Sequence, residues 1–134
     1  MRWVVAAAAL ALLPSCTLLP QTCAPPAQAK ISAELMFGRK IGDRIGVSEA
    51  AFAAFVAREI TPRFPDGLTV LDAKGQWRDS ERGTIVREPS KIVLLTFADD
   101  PARRADIAAI ADAYRRQFEQ QSVLTSLRAS CVTF

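Results

Sequence analysis

The residues best suited to holding a ligand fall in the middle of the chain. Arg63, Arg78, Arg87 and Lys91 are cationic, Asp66 and Glu88 are anionic, and Gln76 and Trp77 add an amide and an indole. An arginine beside a tryptophan offers a planar donor fork and a ring face, which suits a planar or anionic ligand. A structural reading competes. In it, Arg63 with Asp66 and Glu88 with Lys91 neutralise one another and fix a hairpin, and the neighbouring Pro and Gly residues only make turns.

No catalytic residue, cofactor or metal site is expected, and enzymatic activity is left undecided. The chain has no histidine, which removes His-based triads, His metal ligands and imidazole proton shuttles. Carboxylate, arginine and lysine chemistry stay open. Ser90 and Lys91 are adjacent, and adjacent strand residues point to opposite faces, so they make no dyad. Asp99-Asp100 reads as a helix cap rather than a metal pair, because Asp100 precedes Pro101 at a first helical position. Arg103-Arg104 and Arg115-Arg116 read as a solvated helix face.

The chain has 134 residues, 17 Lys+Arg against 14 Asp+Glu, and a net charge of +3. The basic residues are interleaved with acids, so no nucleic-acid partner is indicated. The N-terminus reads as an address. Arg2 precedes an apolar run from Trp3 to Leu13, which fits a signal-peptide core and is shorter than the ~20 residues a bilayer span needs. Residues 1–15 are therefore expected to be a signal peptide. Leu13-Pro14-Ser15-Cys16 resembles a bacterial lipobox, with Cys16 lipidated, although Pro14 is an unusual choice within it. The rival is an A-x-A site, Ala27-Gln28-Ala29, before Lys30. The first reading anchors the protein by lipid on the periplasmic side of a bacterial envelope; the second makes it a soluble periplasmic or secreted protein. Residues 16–30, with Pro20, Pro25 and Pro26, read as a tether, and residues 31–134 as one domain.

Three cysteines are present, Cys16, Cys23 and Cys131. With Cys16 lipidated, the remaining pair in an oxidising compartment suggests a Cys23–Cys131 disulfide. The rival reading leaves both as free thiols.

The elements that must position these residues follow from patterning. Ile31–Phe37 reads as a strand, and Gly38 to Gly46 as a flexible loop. Ser48 caps a helix whose apolar face is Phe52, Phe55, Val56 and Ile60, ending near Thr61 before Pro62. Arg63 to Gly67 reads as a turn. Leu68 onward and Ile92 to Phe97 read as two arms of a long hairpin. A turn centred between Arg82 and Gly83 sets Leu71 opposite Leu94 and Trp77 opposite Glu88, with a possible bulge at Lys74-Gly75. Asp100-Pro101 opens a second helix with Ile107, Ile110, Ala111, Tyr114 and Phe118 inward, and Asp112 and Arg116 paired outside. Ser122 to Phe134 reads as a last strand. The order β-α-β-β-α-β specifies an α+β, ferredoxin-like fold: a four-stranded antiparallel sheet with two helices on one face. Its last strand lies beside its first, which brings Cys131 within reach of Cys23.

The strings ITPRFPDGLTVLDAKGQWRD and IVREPSKIVLL, between Glu59 and Leu95, together with SVL at Ser122 to Leu124 and the C-terminal CVTF, resemble the family of domain of unknown function 3574. The resemblance runs from about Ala33 to Phe134. Members often look exported. The family's name implies no activity. Two functional readings remain beside that of a purely structural envelope protein with no ligand. One is a non-enzymatic binding or interaction module, with homodimerisation through the open sheet face as one form. The other is a small enzyme or ligand carrier with a pocket on that face.

Overall fold

The computed structural model describes residues 22–134. The expected signal peptide, residues 1–15, and the expected lipidation site, Cys16, lie outside the described residues. The first strand, β1 (Gln28–Gly38), buries alternate residues: Ile31, Ala33, Leu35 and Phe37 point into the core, while Ser32, Glu34 and Met36 point the other way. It begins three residues before the expected Ile31. Gln28, Ala29 and Lys30 find ladder partners in Val132, Cys131 and Ser130 of the last strand, so pairing extends into the segment read as a tether. The Cys23–Cys131 disulfide forms at this end, with the two Cα atoms 5.6 Å apart.

The stretch after β1 is structured, against the expectation of a flexible loop. β2 (Lys40–Ile41) and β3 (Arg44–Ile45) pair antiparallel, turning at Gly42, whose φ of +62° suits a residue without a Cβ. Ser48 caps α1 (Glu49–Phe55), its Oγ accepting the Ala51 N–H at 3.1 Å. The helix then widens into a π-helical turn, Val56–Ile60, closed by the Thr61 N–H donating to the Val56 carbonyl. Pro62 prevents continuation.

β4 (Thr69–Arg78) and β5 (Ile85–Phe97) form the long hairpin. The register differs from expectation by two residues: Leu71 pairs with Ile92, and Trp77 with Val86. The turn explains this. The Asp79 carboxylate accepts the Glu81 and Arg82 N–H groups at 2.9 and 3.1 Å, and the Asp79 N–H donates to the Thr84 carbonyl. This moves the centre to between Glu81 and Arg82. No bulge interrupts the ladder at Lys74-Gly75. A shift of two preserves the pleat, so every residue keeps its expected face.

Asp100 caps α2 (Pro101–Gln117) by accepting the Ala102 N–H at 2.8 Å. Asp112 pairs with Arg115 rather than Arg116. β6 (Leu124–Val132) completes an antiparallel sheet of order β4-β5-β1-β6. This is the ferredoxin-like arrangement, and the core lies between sheet and helices. Phe37, Phe52, Phe55 and Tyr114 pack edge to face at its centre, with the Phe37 and Tyr114 centroids 4.7 Å apart.

Candidate functional site

Across the open sheet face, the surface drops at one place. Gly75 of β4 pairs with Glu88 of β5, and Gly38 of β1 pairs with Ser90. These small residues set a notch where strands β4, β5 and β1 end or begin. Trp77, Met36 and Leu124 stand around it, and Gln120 and Gln121 close it from the loop after α2. The cavity has a volume of about 220 Å³. Both glycines lie against the ends of neighbouring side chains. A Cβ on Gly38 would sit 2.6 Å from Glu88 Oε1, and one on Gly75 would sit 2.5 Å from Ser90 Oγ.

The Glu88 carboxylate is embedded in the notch, and the residue is only 9 % exposed. Trp77 Nε1 donates to its Oε1 at 2.7 Å, and the Lys40 backbone N–H donates to its Oε2 at 2.9 Å. Trp77 and Glu88 are therefore diagonal neighbours across the ladder rather than a directly opposed pair. The rim is tied from behind. Tyr114 Oη donates to the Gly38 carbonyl at 2.7 Å, and Gln120 Nε2 donates to the Lys40 carbonyl at 2.7 Å. Burial raises the Tyr114 hydroxyl well above the usual phenol range. An adjoining cleft, lined by Lys40, Asp79, Glu81, Arg82 and Glu119, shares Trp77, Glu88, Gln120 and Gln121 with the notch.

The structure brings two of the eight sequence candidates, Trp77 and Glu88, into contact in the notch, with Gln76 at its margin. Alternation along the strands puts Arg78 and Arg87 on the opposite side of the sheet. Arg63 lies at the far end, paired with Glu59 and Asp106 rather than with Asp66. Asp66 lines a separate cleft there with Arg63 and Arg103. Lys91 does not neutralise Glu88. The two are three apart on one strand, so they point to opposite faces. Lys91 instead lies under the Phe52 ring, its Nζ 5.9 Å from the centroid, and bonds Asp72 and, at 2.6 Å, Glu49. That ammonium holds both carboxyls below their ordinary values. Buried Arg39 joins the same cluster, bonding Glu49 and donating to the Val47 carbonyl at 2.8 Å.

Sequence reasoning missed Gly38, Ser90, Met36, Leu124, Gln120 and Gln121 as notch residues. Gly75 had a signal: a glycine in a strand marks a bulge or a close approach, and here it is the latter. The two glutamines had none, because only the sheet order places the loop before β6 beside the end of β1. Among the described residues no group of His, Cys, Asp and Glu side chains could hold a metal ion.

Residues 32–134 match the family described as "Protein of unknown function (DUF3574)", and the chain belongs to it. No curated protein matches the sequence. Among solved structures, the fold is similar to a phage SAM lyase solved in complex with S-methyl-5'-thioadenosine. The TM-score is 0.64 at 16 % identity, covering 88 % of this chain and 97 % of that one. It is also similar to CutA from Synechococcus elongatus, with a TM-score of 0.51 at 10 % identity, covering 78 % of this chain and 80 % of that one.

Proposed function

Within this family of unknown activity, we propose that the chain is an exported, lipid-anchored envelope domain that binds a small ligand in the notch on its open sheet face. The carrying observation is the notch itself. A buried carboxylate, held by an indole and a backbone N–H, opens into a cavity floored by small residues and flanked by apolar side chains. Ligand sites have this composition: mostly apolar walls and few, fixed polar groups. The anchor reading rests on Arg2, the apolar run Trp3 to Leu13 and the Ser15-Cys16 junction.

The open face also supports self-association. Leu71 and Leu124 are 44 % and 57 % exposed there, and half-buried Met36, Ile92 and Leu94 lie between them. A second copy seated on this face would cover them and cap the notch. The enzyme reading draws on the same site, where Glu88 is the one carboxylate lining the cavity.

Two measurements test the proposal. Intact mass of the protein from its native membrane should show an acylated chain beginning at Cys16; an unacylated chain beginning at Lys30 removes the anchor. A fragment screen read by NMR, starting with S-methyl-5'-thioadenosine, should give ligands that shift the Trp77 indole N–H and lose affinity in Gly75→Val. Ligands that bind only elsewhere would remove the notch as the site.

A further inference from the structure

Glu88 lacks the partner that a buried carboxylate ordinarily has. Taking a carboxylate out of water is costly unless it is paired and hydrogen-bonded. Its two protein donors, the Trp77 indole and the Lys40 amide, are both uncharged groups. No ion pair among the described residues includes Glu88, and the nearby buried cations are committed elsewhere: Lys91 to Asp72 and Glu49, Arg39 to Glu49. Each Glu88 oxygen accepts one bond from the protein, although a carboxylate oxygen has room for two.

The cavity contributes no counter-charge either. Glu88 is the one ionisable side chain among the residues lining the notch. In the adjoining cleft Lys40 and Arg82 are outnumbered by Asp79, Glu81, Glu88 and Glu119. Arg82 is already bonded to Asp43 and lies against Asp79. The indole adds an electron-rich ring whose N–H is spent on the carboxylate, so the ring itself offers apolar and cation–π contact.

We propose that the ligand of the notch is a compact organic cation, an ammonium, guanidinium or sulfonium group on an apolar or planar body. Its charge sits against Glu88 and its body between Trp77, Met36 and Leu124. This assignment rests on the reading of the notch as a ligand site. Anions are excluded by the unpaired carboxylate. A neutral molecule of the same shape forgoes the charge-assisted bond, which corresponds to roughly tenfold or more in affinity.

The test uses three probes of one shape and different charge, benzylammonium, benzyl alcohol and benzoate, titrated into the full oxidised chain. Binding is read from the Trp77 indole N–H, assigned with Trp77→Phe. Benzylammonium is expected to bind about tenfold or more tightly than benzyl alcohol, to weaken with added salt, and to leave benzoate without effect. Glu88→Gln should bring benzylammonium down to the level of benzyl alcohol. The probe ratio in the unsubstituted protein decides the matter even if that variant does not fold. If benzyl alcohol or benzoate shifts the indole with equal or higher affinity, the cation assignment is wrong while the notch remains a ligand site. If no probe and no fragment shifts the indole, both readings fail together.

Discussion

Replacing both Cys23 and Cys131 with serine should destabilise the domain by several kcal/mol without disturbing the notch. The bridge closes a loop of 108 residues. In the chain-entropy treatment such a cross-link removes about 16 cal/mol/K from the unfolded ensemble, or roughly 4.8 kcal/mol at room temperature. Cys131 is exposed and Cys23 is half-buried, so serine leaves little packing loss to add. The bridge also sits where β1 begins, beside the Ala29–Cys131 pair, whereas the notch lies where β1 ends at Gly38. The assay is urea unfolding of both proteins with a common slope, together with hydrogen exchange. Stability should fall by about 4–5 kcal/mol, amide protection should drop first at Gln28–Lys30 and Ser130–Val132, and probe binding at the notch should persist under native conditions. A loss below about 1 kcal/mol would mean that the unfolded chain is already compact or that the bridge strains the fold, and the loop argument would be refuted. Loss of notch binding in a still-folded variant would refute the separation of the two ends.

Gly75→Ala should separate binding from stability. The added methyl meets the Ser90 hydroxyl at 2.5 Å, and that side chain can rotate away, so unfolding free energy should change by no more than about 1 kcal/mol while ligand affinity falls; calorimetry and the NMR titration read the two. Tyr114→Phe removes the bond to the Gly38 carbonyl and should cost roughly 1–2 kcal/mol in denaturant unfolding; no change would show that the hydroxyl does not support the rim. Acid should weaken the Lys91 cluster. Lys91 holds the Glu49 and Asp72 carboxyls below 4.5 and 3.8, so their contribution is present above those values and disappears as pH falls through the lower, folded-state ones. Both carboxylates are exposed, so the effect should shrink with salt, and Lys91→Met should flatten the acid limb of stability against pH.

Local sequence chemistry determined the two helices, the four long strands and their order, but not the short β2–β3 hairpin. Ser48 and Asp100 cap helices because their side-chain oxygens reach N–H groups of the next turn, an interaction contained within a few residues. Ile31–Phe37 and the apolar run Ile92–Phe97 read as strands, and parity alone sets which of their residues share a face. The β-α-β-β-α-β order then brought Cys131 beside Cys23. The hairpin shift left the faces intact for the same reason of parity, but it made Trp77 a diagonal rather than direct neighbour of Glu88.

What the sequence did not contain was the pairing of charges and the hollow in the sheet. Lys91 and Glu88 read as a pair along the chain, yet strand alternation sends them to opposite faces, and Lys91 takes Glu49 and Asp72 from a helix and another strand. The notch needs Gly38, Gly75, Ser90, Gln120 and Gln121 from distant segments. No local pattern marks such a site, because its depth comes from side chains missing at adjacent ladder positions and its wall from a loop that only the sheet order places there.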